Sequence, residues 1–165
     1  MSKDLKGLFS PKSVCIIGAS RSTEKVGGII LKNIIDSKFA GKIYPINPNT
    51  QTIYGLPCFA DLESLSETPD LAIVEIPANL VIDELEHIGR KGIKNVVVLS
   101  SGFKEAGADG EKIEKDLIDI SKKYGLNLLG PNCMGFVNNA LPINATFGQS
   151  ADQPSGNLRF ITQSG

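Results

Sequence analysis

The sequence predicts an α/β protein: a doubly wound parallel sheet with helices on both faces. Three observations carry that expectation. Strand-like and helix-like stretches alternate about five times over the first 130 of the 165 residues, the order of repeated βαβ units. The strand-like stretches are near-continuous apolar runs, Val96-Val97-Val98-Leu99 being the plainest, as in strands buried on both faces. Each run then ends in a small, polar loop: Gly-Ala-Ser-Arg, Asn-Pro-Asn, Pro-Ala-Asn, Ser-Ser-Gly-Phe and Gly-Pro-Asn-Cys, in chain order. Such sheets take their ligands beyond the carboxyl ends of the strands. Five loops of this kind on one rim therefore predict a binding site there.

The elements follow in order. Residues 1–12 read as a polar lead-in, with Leu5, Leu8 and Phe9 as anchors onto the first strand. That strand covers 14–19 and turns at Gly18-Ala19-Ser20. Apolar residues at Val26, Ile29, Ile30, Ile34 and Phe39 give a helix over 26–39, ended by Gly41. The second strand is Lys42 to Ile46, running into the turn signature Asn47-Pro48-Asn49. A looser stretch follows, with a short helix expected at Asp61 to Leu65. The third strand is Leu71 to Ile76, stopped by Pro77, and Asn79 is the expected N-cap of a helix over 80–91. The fourth strand is Asn95 to Leu99. A helix over about 109–124 is capped by Gly125, and the fifth strand is Leu126 to Leu129. Residues 138–156, rich in Asn, Pro and Gly, read as a connector. Asn157 to Thr162 reads as one more strand, the opening of a second domain that the chain does not complete.

Composition narrows the function. A hydrophobic share of 41% and a charged share of 21% are those of a globular protein. The net charge of −1 gives no electrostatic case for nucleic acid or an anionic membrane as partner. No apolar run reaches a membrane span, and Met-Ser-Lys-Asp-Leu-Lys-Gly lacks a signal-peptide core. A cytoplasmic location is expected. Cys15, Cys58 and Cys133 are far apart and odd in number, which suggests neither a disulfide framework nor a metal site. Cys15, inside an apolar strand, is expected in the core.

The turn after the first strand carries the chemistry. A strand that turns at glycine into a helix presents free backbone N–H groups and a positive helix end, suited to phosphate. Gly-x-Gly-x-x-Gly is absent, as is a Gly-Lys-Ser/Thr loop. The end of the second strand holds Ile46-Asn47-Pro48, where a nicotinamide cofactor usually meets an acidic residue. Arg21 and Lys25 near the turn suit a ligand with more than one phosphate group. The alternative is a pair of solvated loop charges.

Taken together, Leu-Phe-Ser-Pro-Lys-Ser-Val-Cys-Ile-Ile-Gly-Ala-Ser, Lys-Val-Gly-Gly, Tyr-Pro-Ile-Asn-Pro, Ser-Ser-Gly-Phe-Lys-Glu and Gly-Pro-Asn-Cys-Met-Gly resemble one known module. It is the coenzyme A-binding domain of the nucleoside-diphosphate-forming acyl-CoA synthetases. These include the ADP-forming acetate–CoA ligases, related to the succinyl-CoA synthetase alpha subunit. The resemblance covers nearly the whole chain, in order. It implies a Rossmann-like domain over residues 1–150 that binds CoA, with 151–165 opening a flavodoxin-like ligase domain.

By position, the resemblance sets Gly18, Ala19, Ser20 and Arg21 at the turn that cradles CoA phosphate, and Lys25 and Gly27 at the helix start. Asn47 and Pro48 fall beside the adenosine part, and Ile76, Pro77 and Ala78 in the third loop. Ser101, Gly102 and Phe103 fall in the fourth loop, and Asn132 and Cys133 nearer the thiol end. Asn49 stands where the family often has a lysine. The implied reaction is reversible, acyl-CoA with ADP and phosphate giving carboxylate, CoA and ATP. The implied partners are further ligase domains and an ATP-grasp domain or subunit.

That reaction passes through a phosphohistidine of the second domain. His87, the only histidine, has Asp83, Glu84, Arg90 and Lys91 as helix neighbours and is expected to be a solvated surface residue. No catalytic residue is expected in this stretch, so it binds rather than catalyses. Cys133 has no placed base and reads as a small residue in a tight turn. Glu105 reads either as lining the thioester end or as a solvated acid. Two other readings stay open: a CoA-sensing regulatory module of a protein acetyltransferase, and the NAD-binding domain of an oxidoreductase.

Overall fold

A computed structural model describes residues 4–148 and residue 156. The chain starts with a one-turn helix, α1 (Lys6–Phe9), then β1 (Ser13–Ile17), α2 (Val26–Asp36) and β2 (Lys42–Ile46). A miniature hairpin, β3 (Thr52–Ile53) and β4 (Leu56–Pro57), leads to β5 (Leu71–Val74) and α3 (Ala78–Lys91). There follow β6 (Asn95–Val98), α4 (Ala108–Tyr124), β7 (Asn127–Leu129) and a closing hairpin, β8 (Gly135–Asn138) with β9 (Ile143–Thr146).

The central sheet is parallel throughout, in the order β2-β1-β5-β6-β7. Its strands are apolar without interruption because both faces are covered. Val14, Ile16, Leu71, Ile73 and Val97 point to the face packed by Ile30, Leu31 and Ile34 of α2. Cys15, Ile17, Ala72, Val74, Val96 and Val98 point to the other, packed by Val81, Leu85 and Ile88 of α3 and Leu117 of α4. Cys15 is wholly buried, as expected. Each fully buried Ile or Leu contributes roughly 1.5–3 kcal/mol. The doubly wound, Rossmann-like expectation therefore holds.

The order places a topological switch point between β1 and β5, whose following helices lie on opposite faces. That is where an open α/β sheet leaves a crevice for ligand.

Several local expectations are corrected. Helix α2 ends at Asp36 rather than Phe39: Ser37 Oγ donates to the Ile34 carbonyl and Lys38 takes φ 59°, so the ladder stops. Asn79 is not an N-cap. Pro77, with φ −51° and ψ 137°, takes that place and its carbonyl accepts from Leu80 N at 2.9 Å. Asp61 to Leu65 forms no helix; Asp61 Oδ1 takes both the N–H and the hydroxyl of Ser64, closing a turn.

The first part of the connector expected over 138–156 is instead the second half of the β8–β9 hairpin, which packs on α2 and buries Phe136, Ile143 and Ala145, and residues 149–155 lie outside the described residues. The β3–β4 hairpin was not foreseen. Of the expected anchors, Leu8 is buried with Val14 and Ile16 and Phe9 packs edge-on against Phe136, whereas Leu5 is exposed. The strand expected at Asn157 to Thr162 lies outside the described residues. No helix among the described residues is long and apolar enough to cross a membrane.

Candidate functional site

The five loops meet on one rim and are tied to each other by hydrogen bonds. Gly18 turns out of β1 with φ 89°, a backbone that side-chain-bearing residues rarely adopt. A Cβ there would also collide with the Glu75 carbonyl, so glycine lets the first and third loops touch. Gly27 and Gly28 do the same for the helix: a Cβ on either would strike the carbonyl of Gly18 or Ser22. The start of α2 is thereby seated against the turn.

The loop between is braced internally. Ser22 N donates to Ser20 Oγ at 3.1 Å and Lys25 N to the Ser22 carbonyl at 3.2 Å. Tyr54, at the tip of the β3–β4 hairpin with φ 50°, donates its hydroxyl to the Arg21 carbonyl at 3.0 Å. Arg21 and Lys25 are exposed, and neither forms an ion pair with any described residue. Two free cations thus stand beside a backbone turn and a helix start, a constellation that accepts phosphate oxygens.

Asn47 braces the second loop to the first. Its Nδ2 donates to the Ala19 carbonyl at 2.7 Å, and its Oδ1 accepts from Asn49 N at 2.9 Å. Pro48 is exposed beside it. On the other side of the switch point, Ile76 N donates to Ser100 Oγ at 3.1 Å, and Asn132 N to the Ser100 carbonyl at 3.0 Å. Ser100 therefore links the third, fourth and fifth loops. Between the third and fourth lies a cleft of about 300 Å³ lined by Glu75, Ile76, Pro77, Ser100 and Ser101. A larger groove of about 480 Å³ runs along α4 and β7, by Ile118, Leu126 and Leu128; it sits at the sheet edge and touches none of the rim loops.

Of the expected site residues, Arg21, Lys25, Pro48, Pro77, Ser101 and Asn132 are exposed on the rim, and Gly18, Ser20, Asn47, Ile76, Ala78, Gly102 and Cys133 are partly so. Ala19, Gly27 and Phe103 are buried. Phe103 sends its ring wholly into the core, so only its backbone belongs to the loop. Cys133 Sγ lies 3.5 Å from the Val98 carbonyl, and burial pushes its thiol up. It is a packed turn residue, not a poised nucleophile.

His87 lies on α3, its Nδ1 2.7 Å from Glu63, half-exposed. Glu105 Oε1 accepts from Gly102 N at 2.6 Å and Phe103 N at 3.2 Å, which lowers its pKa. It caps its own loop. Among the described residues no group of three or more His, Cys, Asp or Glu could hold a metal.

Residues 12–139 match the family of the CoA binding domain. The chain belongs to that family. Within it, the chain is 43% identical over 161 residues to the ADP-forming acetate–CoA ligase I of Archaeoglobus fulgidus, covering 98% of this chain and 23% of that protein. It is 43% identical to the alpha subunit of the ADP-forming acetate–CoA ligase I of Pyrococcus furiosus, covering 98% of this chain and 36% of the subunit. An acetyl-coenzyme A synthetase of Candidatus Korarchaeum cryptofilum, solved with phosphate and ADP, superposes with a TM-score of 0.84 at 37% identity, over 88% of this chain and 31% of that one. The chain thus spans 23% to 36% of the length of these relatives. Neither the acetyltransferase-module nor the oxidoreductase reading is favoured by them.

For a CoA-binding domain, three rim residues went unread in the sequence. Glu75 had a signal, since it is the one charge at the carboxyl end of an otherwise apolar strand. Ser100 had half of one, as the first residue of Ser-Ser-Gly-Phe. Tyr54 had none, because its partner Arg21 is distant in sequence.

Proposed function

We propose that the rim binds coenzyme A and that the domain serves an ADP-forming acyl-CoA synthetase. The observation that carries this reading is the pair of cations, Arg21 and Lys25, without an ion pair among the described residues, beside the Gly18 turn at the switch point of a CoA-binding-family fold. The phosphates lie on the turn among Gly18, Ala19, Ser20, Arg21, Lys25 and Gly27. The adenosine part lies by Asn47 and Pro48. The pantetheine arm runs past Ile76, Pro77 and Ala78 to Ser101, Gly102 and Phe103, with its thiol toward Asn132 and Cys133. The residues fit: the turn has backbone donors and free positive charge, and the third and fourth loops are largely neutral.

In the intact enzyme, acyl-CoA, ADP and phosphate are converted to carboxylate, CoA and ATP. The phosphoryl steps belong to a further ligase domain and an ATP-grasp domain or subunit. The 36% coverage of an alpha subunit and 23% of a longer single protein support partners of either arrangement.

Calorimetric titration with CoA, dephospho-CoA and NAD tests the reading. CoA is expected to bind and NAD not to; NAD binding without CoA binding overturns it. Arg21→Ala is expected to weaken CoA about tenfold, the scale of one charge-assisted contact to phosphate. Equal affinity in the variant would remove Arg21 from the site.

A further inference from the structure

Glu75 is the one carboxylate lining the rim cleft. It follows β5 directly, its N–H donating to the Ile17 carbonyl at 2.9 Å, so its backbone is locked between the two strands of the switch point. Its side chain has no hydrogen bond or ion pair with any described residue, and burial raises its pKa. Two neighbouring polar groups are already used: Ser100 Oγ by Ile76 N, and Glu105 by its own loop. A carboxyl group stripped of part of its water and given no partner is a cost that a ligand donor would relieve.

The charges along the rim are also divided. Arg21 and Lys25 stand at the first loop, and Glu75 in the cleft between the third and fourth. A carboxylate there repels phosphate and welcomes a neutral N–H or O–H.

We propose that Glu75 is a specificity-determining residue that accepts a hydrogen bond from an amide N–H or hydroxyl of the pantetheine arm, fixing the arm in the cleft between the third and fourth loops. The assignment rests on the CoA reading above. It gives the rim a direction: anionic end on the cations, neutral arm on the acid. Discrimination of this kind arises because a ligand lacking the donor leaves the half-buried acceptor unpaired.

The test is calorimetry on wild type, Glu75→Gln and Glu75→Leu with three probes: CoA, adenosine 3′,5′-bisphosphate, which lacks the arm, and pantetheine. Glu75→Leu is expected to lose about tenfold in CoA affinity, and Glu75→Gln, which keeps an acceptor oxygen, less than about threefold. Affinity for the bisphosphate stays within about twofold in all three, which also shows that the fold is intact. CoA affinity unchanged or raised in Glu75→Leu overturns the assignment, as does an equal loss of CoA and bisphosphate. If wild type takes the bisphosphate but gains nothing from the arm in CoA, Glu75 is refuted while the nucleotide site stands. If wild type binds neither, the CoA reading itself fails and the assignment with it.

Discussion

Gly18 carries two constraints at once, a φ of 89° and a backbone carbonyl where its Cβ would be. Neither can relax, because the carbonyl belongs to Glu75, held between β1 and β5 by its own N–H. Gly18→Ala is expected to destabilise the domain by about 2–4 kcal/mol, read as a lowered urea midpoint at unchanged slope. A loss under about 1 kcal/mol would mean that the two loops separate easily. The glycine was legible in the sequence as the end of an apolar run. The reason for it was not, since the colliding atom comes from a loop far along the chain. The same holds across the site: residue types that favour turns were readable, whereas the hydrogen bonds that tie Asn47 to Ala19 and Ser100 to Ile76 depend on strand order.

At the scale of elements, the strands of the central sheet were readable because burial on both faces leaves uninterrupted apolar runs. The β8–β9 hairpin was missed for the opposite reason. Its polar residues serve the backbone instead of marking a linker. Asn33, buried on α2, donates through Nδ2 to the Thr146 and Gly148 carbonyls, both at 2.9 Å. Asn33→Ala is therefore expected to cost about 1–3 kcal/mol and to raise amide exchange first at the end of β9 and just beyond it, where the lost acceptors sit. Exchange rising equally in all strands would show a global effect.

A second link is the one between α3 and the turn at 61–65. The Glu63 hydrogen bond raises the pKa of His87 above 6.5, and the same bond lowers that of Glu63 below 4.5. The histidine's share of stability is thus full below pH 6.5 and is lost as pH rises through its folded value; the glutamate's is present above 4.5 and lost on acidification. Both side chains are about half-exposed, 47% and 58%, which keeps the pair well under about 1 kcal/mol. Comparing wild type with His87→Asn across this range, the stability gap is expected to be widest between the two values and to narrow on either side. A gap independent of pH would remove the pair as its cause.

The whole molecule has a net charge of −1, so no general field draws an anionic ligand to it. Attraction must come from local charge at the first loop, where Arg21 and Lys25 form no ion pair with any described residue. This separates local phosphate recognition from bulk electrostatics in one experiment. Free CoA at a hundred times its dissociation constant stabilises the folded state by about 2.7 kcal/mol, equivalent to about 5–10 °C in Tm for a domain of this size. Exposed charges are screened within about 10 Å at 0.1 M salt. The Tm gain at fixed CoA is therefore expected to fall as salt rises. Arg21→Ala removes one of the two cations, so its gain should start smaller and fall less steeply. The bisphosphate probe should follow the salt dependence of CoA, and pantetheine should show none, because the neutral arm meets no cation. Parallel salt slopes in wild type and Arg21→Ala would place the phosphates away from the first loop and reverse the direction assigned to the rim.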